Sequence, residues 1–112
     1  MYVVDFVEFP SDSTAASGRF FQEAFGWTPT EYGPTYTGLG GAGVDLGFQA
    51  DPAERTGAPL VAIRTDDLEA ARTAVEAAGG AITVETFAFP GGRRFHFREP
   101  GGSELAVWQP AD

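Results

Sequence analysis

His96 is the only histidine in this 112-residue chain, so it is the only side chain whose unperturbed charge changes near neutrality. It lies in RRFHFRE, residues 93–99, a run that reads as a strand. An imidazole there has two readings of equal weight. It is a general base or hydrogen-bond donor to a bound molecule, or it is a strand histidine satisfied by a neighbouring carboxylate at the sheet rim. No nucleophile accompanies it to decide between them. Cysteine is absent, which excludes disulfides, thiolate metal sites and a cysteine nucleophile. The glycine-rich GLGGAG at 38–43 has no strand-to-helix context and no Lys-Ser/Thr after it, which excludes a nucleotide site.

The net charge of −9 argues against nucleic acid, since phosphate binding needs a basic face. It permits a cationic small molecule, although acidity also serves solubility alone. No apolar stretch reaches bilayer length and the N-terminus lacks a basic-then-apolar signal, so no membrane association is expected and the location expected is cytoplasmic.

The elements that must position His96 are written twice. VVDFVEFP, residues 3–10, reads as a strand, followed by a helix capped by Asp12 or Ser13 and ended by Gly26. Its apolar residues Ala16, Phe20, Phe21, Ala24 and Phe25 follow helical spacing, while Gly18 weakens it. The plan recurs at APLVAIRT and in a helix capped by Asp66 or Asp67. Its stripe is Leu68, Ala71, Val75 and Ala78, and Gly79-Gly80 stops it. Two or three short strands follow helix one, near Glu31–Thr37 and Val44–Gln49, about a Gly38–Gly43 turn. After helix two come AITVETFAF, RRFHFRE and SELAVWQ, punctuated by Pro90-Gly91-Gly92 and Pro100-Gly101-Gly102. The order predicts one α+β domain over 1–112, built from tandem βαβββ modules in a curved, half-closed mixed sheet. Module one spans about 1–50, a polar linker about 51–58, and module two about 59–112.

Three segments, RFFQEAFGW at 19–27, IRTDDLEAA at 63–71 and FHFREPGGSELAVWQP at 95–110, resemble the vicinal oxygen chelate superfamily. That group holds glyoxalase I, bleomycin-resistance proteins, fosfomycin-resistance enzymes and extradiol dioxygenases. The third segment is similar to the family's Asp-Pro-x-Gly-Asn hairpin, with Glu99 for Asp and Ser103 for Asn. In metal-dependent members the resemblance implies four cleft ligands, which fall here at Phe6, Leu60, Ala106 and near Leu46 or Phe48. None of these side chains carries a lone pair for a hard cation. The resemblance therefore implies a fold without the family's metal, and no metal or other cofactor is expected.

Alternation along strands extends the cleft lining that the resemblance implies. Phe6 brings Val4 and Glu8, Leu60 brings Ala62 and Arg64, and Ala106 brings Glu104 and Trp108. Similarity to fosfomycin-resistance enzymes puts His96 at a cleft-facing tyrosine position and brings Arg94 with it. Phe95 and Phe97 then point under the helices. The expected ligand-binding set is Phe6, Glu8, Leu60, Arg64, Arg94, His96, Glu104, Ala106 and Trp108. His96 and Glu8 are its catalytic candidates, with Glu104 as another carboxylate partner. Trp108 is the candidate to stack on a planar ligand, and Trp27 belongs to the core.

Three functions fit. One is a metal-free protein that holds a small organic molecule, as bleomycin-resistance proteins hold their drug. Another is a glyoxalase-like enzyme (lyase, isomerase or dioxygenase type) using His96 and a carboxylate, with or without a displaced metal on Glu8, His96 and Glu104. The third is an interaction module with a vestigial cleft. Open sheet edges and the resemblance both imply a homodimer.

Overall fold

The computed structural model describes residues 1–112. In chain order its elements are β1 (Val3–Pro10), α1 (Thr14–Phe25), β2 (Thr28–Glu31), β3 (Tyr36–Gly40), β4 (Asp45–Gln49), β5 (Leu60–Arg64), α2 (Leu68–Ala77), β6 (Ala81–Phe89), β7 (Gly92–Arg98) and β8 (Glu104–Pro110). This is the expected α+β plan of two βαβββ modules. The chain falls into two compact units, Phe6–Leu60 and Met1–Asp5 with Val61–Asp112.

In the Phe6–Leu60 unit the strands run in the order β2-β3-β4-β1, β4 parallel to β1 and the other pairs antiparallel. Ser13 caps α1, its side chain accepting the Ala16 N–H at 3.2 Å. Gly26 ends it at φ 76° and donates to the Gln22 carbonyl, a left-handed cap that glycine takes without strain. Leu39, Leu46 and Phe48 form the core, with Val7, Phe9, Phe21 and Trp27 packed around them. Trp27 lies parallel to Phe21, with ring centroids 5.8 Å apart.

The helix presents a different face from the expected one. Thr14 and Gly18 are its buried residues, whereas Phe20 and Phe25 are 58% and 59% exposed. Gly18 is the reason. A Cβ there would stand 3.2 Å from Pro29 and 3.4 Å from Thr37, so the helix lies close on β2 and β3 along its smallest side chain. The helical cost of glycine is offset by that approach.

A second correction concerns the strand expected over Glu31–Thr37. Gly33, at φ 97°, turns the chain there, and Tyr32 N–H donates to the Tyr36 carbonyl. The strand is thus split into β2 and β3. The expected Gly38–Gly43 turn shrinks, because Gly38 to Gly40 stay in β3.

In the other unit the order is β5-β8-β7-β6, with β5 parallel to β8 and the rest antiparallel. Asp67 caps α2 through the Ala70 N–H at 3.0 Å, and the Leu68 N–H donates to the Gln109 side chain at 3.0 Å. Leu68 and Ala71 are buried and Val75 partly so, but Ala78 is the exposed C-cap and leaves the expected stripe. Phe95, Phe97 and Val107 meet that stripe from β7 and β8. Full burial of a phenylalanine stabilises by about 1.5–3 kcal/mol, and Phe95 is fully buried. Glu99 ties the β7–β8 turn, its carboxylate accepting the N–H groups of Gly101 at 2.8 Å and Ser103 at 2.7 Å.

Candidate functional site

Phe95, Phe97 and Val107 commit one face of β7 and β8 to α2, so the intervening side chains belong to the other face. Cross-strand partners share a face. Arg94 pairs with Trp108, His96 with Ala106 and Arg98 with Glu104, while β5 adds Ala62 beside Ala106 and Arg64 beside Trp108. Six of the expected ligand-binding residues, Arg64, Arg94, His96, Glu104, Ala106 and Trp108, are therefore brought together on one surface.

Contacts on that surface are specific. His96 is buried, and its Nδ1 lies 3.4 Å from Glu104 Oε2. The same oxygen accepts the Thr83 hydroxyl at 2.7 Å. That bond holds the carboxylate beside the imidazole. The His96 ring also lies 5.9 Å from Phe87. Arg94 spreads over the Phe87 and Phe89 rings, at 5.1 and 5.6 Å from their centroids. The Trp108 indole N–H donates to Asp5 Oδ1 at 2.9 Å, and Arg64 Nη1 stands 3.9 Å from Asp5 Oδ2.

On the Phe6–Leu60 unit the equivalent face carries Phe6 and Glu8. Glu8 is 4% exposed and accepts the Tyr36 hydroxyl at 3.0 Å. Beneath them two glycines make a floor. Glu8 pairs with Gly47, and Gly47 with Gly38. A Cβ on Gly47 would stand 2.1 Å from the Tyr36 hydroxyl and 2.8 Å from Phe6, and one on Gly38 would stand 2.9 Å from the Tyr32 ring. Leu60 is buried at 1% exposure.

One expected position is corrected here. Leu46 and Phe48, offered as the fourth corner of the cleft, pack in the core under α1. The parallel register pairs Phe6 with Asp45 and Glu8 with Gly47, so Gly47 takes the place on Glu8's side.

Sequence reading also missed Asp5, Tyr36, Phe87 and Phe89. Alternation back from His96 through the register of β6 could have found the two phenylalanines. Asp5 gave no signal, lying 103 residues from the indole it holds.

Two surface grooves lie elsewhere. One, of about 340 Å³, runs beside α1 past Gly18, Pro29 and Thr37. The other, of about 290 Å³, sits by Phe89, Gln109 and Pro110. Neither includes His96 or Glu8, and hollow shape without chemistry does not move the site.

With this geometry in place the comparisons are decisive about family. The model of the glyoxalase/bleomycin resistance protein/dioxygenase superfamily matches residues 3–107. The chain belongs to that superfamily. No curated protein matches it by sequence. Among solved structures, methylmalonyl-CoA epimerase from Mycobacterium tuberculosis is similar at 15% identity and a TM-score of 0.75, covering 97% of this chain and 88% of that one. A superfamily member from Vibrio splendidus 12B01 matches at 17% identity and TM-score 0.71, covering 99% and 100%. The Mn(II)-bound glyoxalase from Novosphingobium aromaticivorans matches at 22% identity and TM-score 0.70, over 95% of this chain but 38% of that one. These identities establish a shared fold and nothing narrower.

The superfamily's divalent metal does not fit the residues present. Phe6, Leu60, Ala106 and Gly47 offer no side-chain donor, and a hard cation needs several oxygen or imidazole ligands together. No group of three or more His, Asp or Glu side chains is placed to hold a metal. The charges flanking α2 are bound elsewhere. Arg93 holds Glu69 and Arg72 holds Glu85, and each pairing lowers the glutamate's pKa through the arginine hydrogen bond.

Proposed function

We propose that this superfamily member binds a small organic molecule without a metal, on the sheet face that carries Trp108. The observation that supports this most is the orientation of that indole, fixed by Asp5 with Arg64 beside it. A surface that sets ring faces such as Phe87, Phe89 and Trp108 beside a few fixed polar groups suits an organic ligand. Sequestration of a drug or metabolite, of the kind bleomycin-resistance proteins carry out, needs only such a surface. The test is a thermal-shift panel of anionic, neutral and cationic aromatic compounds. A binder present at a hundred times its Kd adds about 2.7 kcal/mol of stability, and Trp108→Ala should abolish the shift. If no compound stabilises the protein even at millimolar concentration, the reading fails.

A second reading rests on His96. The Glu104 carboxylate, 3.4 Å from Nδ1 and anchored by Thr83, would stabilise an imidazolium formed at His96. The other nitrogen, Nε2, could then take a proton from an acidic C–H beside a carbonyl, chemistry of the lyase or isomerase type. Deuterium exchange into a bound ligand distinguishes the two. His96→Ala should keep binding and lose exchange if His96 acts as a base, whereas a plain binding protein exchanges nothing.

The unpaired outer edges of β2 and β6 favour a homodimer, and a monomer mass by light scattering would exclude it. The cysteine-free chain suits a reducing cytoplasm.

A further inference from the structure

Charges in the Val61–Asp112 unit are sorted by face. Arg72 and Arg93 belong to the α2 side, bound to Glu85 and Glu69. Arg64, Arg94 and Arg98 stand on the other face. On that face Asp5 accepts from the Trp108 indole and stands 3.9 Å from Arg64, and Glu104 accepts from Thr83. A chain of net charge −9 thus places three cations on the surface that carries its candidate site.

Arg64 is the one held most loosely. Its Nη1 is 3.9 Å from Asp5, at the outer limit of an ion pair, and its side chain is half exposed. Such a contact contributes little and breaks easily. Its cross-strand neighbour is Trp108, whose ring is fixed by the 2.9 Å bond to Asp5. A fixed indole beside a movable guanidinium can take the two ends of one ligand. The guanidinium fork matches a carboxylate bidentately, and the indole face takes a flat ring or conjugated chain.

We propose that Arg64 and Trp108 form a subsite for a flat aromatic or conjugated carboxylate. This rests on the binding function proposed above and gives that ligand its charge, opposite to the sign that the protein's overall acidity invites. The acidic surface repels anions in general, so a carboxylate binds here only by using both contacts. That requirement is a source of selectivity, since a carboxylate without a flat body lacks the indole contact and a flat cation meets Arg64.

The experiment uses three probes of one shape: 2-naphthoate, 2-naphthamide and 2-naphthylmethylammonium. Binding is read from the Trp108 indole N–H resonance, distinguished from that of Trp27 with Trp108→Phe. Naphthoate should shift this resonance and bind at least tenfold more tightly than the amide or the ammonium. Arg64→Gln should weaken naphthoate tenfold or more and leave the amide unchanged, and Arg64→Lys should fall between. An unchanged urea midpoint for Arg64→Gln shows that its fold is intact. If the amide or ammonium binds as well as naphthoate, or Arg64→Gln binds naphthoate like wild type, the carboxylate subsite is wrong while the binding face stands. If no probe reaches Trp108, the subsite is wrong, and the wider thermal-shift panel decides whether the binding face falls with it.

Discussion

Replacing Gly47 by alanine tests the glycine floor under Phe6 and Tyr36. Gly47 is not among the glycines with positive φ, so its backbone accepts alanine. Removing a strand glycine would by itself stabilise by about 0.5–1 kcal/mol. Space opposes this. The new methyl would stand 2.1 Å from the Tyr36 hydroxyl and 2.8 Å from Phe6, so Tyr36 must retreat by more than an ångström to reach ordinary contact. Overpacking of this kind costs about 1–3 kcal/mol. The same movement breaks the 3.0 Å bond from Tyr36 to Glu8, and a hydrogen bond to a charged group is worth about 1.5–3 kcal/mol. The net expectation is destabilisation of about 3 kcal/mol, or a urea midpoint lower by about 2 M for a slope of about 1.5 kcal/mol/M. Tyr36→Phe removes the clashing oxygen, so in the double variant the two losses should be less than additive by at least about 1 kcal/mol. A Gly47→Ala protein that unfolds within about 0.5 kcal/mol of wild type, or a double variant with strictly additive losses, would refute the packing described for this face.

Acid should weaken the β7–β8 hairpin through Glu99. The N–H groups of Ser103 and Gly101 hold its carboxyl below the usual value of 4.5, so its stabilisation is full above that value and is lost as pH falls through the lower folded-state value. Glu99→Gln should therefore be less stable than wild type at neutral pH and should converge with it in strong acid, as measured by urea unfolding at both. A gap independent of pH would show that the carboxylate charge is irrelevant. At the start of α2, Asp67→Ala removes the cap on Ala70 and should cost about 1 kcal/mol in the same assay, with Asp67→Asn close to wild type.

The order of elements was legible because each helix announces both ends. Ser13 and Asp67 cap the starts, and Gly26 and Gly79 take left-handed turns after the ends. The face of β7 and β8 was legible too, since Phe95, Phe97 and Val107 alternate with His96 and Ala106 in sequence as they do in space. What failed depended on partners. Alternation says that Leu46 and Gly47 face opposite ways but not which faces outward, and that is settled by a parallel register with β1. Phe20 and Phe25 look like core by hydrophobicity, yet the helix rests on Gly18, a residue whose sequence-level reading is helix weakness. Tyr36 could be assigned to a strand, but its bond to Glu8 spans 28 residues and left no local trace.

The first strand belongs to two bodies at once: Met1–Asp5 joins the unit built from the second repeat, and Phe6 onward joins the first. A gene cut at the linker would therefore yield incomplete halves. The C-terminal piece would lack the carboxylate that steers its own tryptophan, and a short peptide of the opening residues should restore that contact when supplied separately.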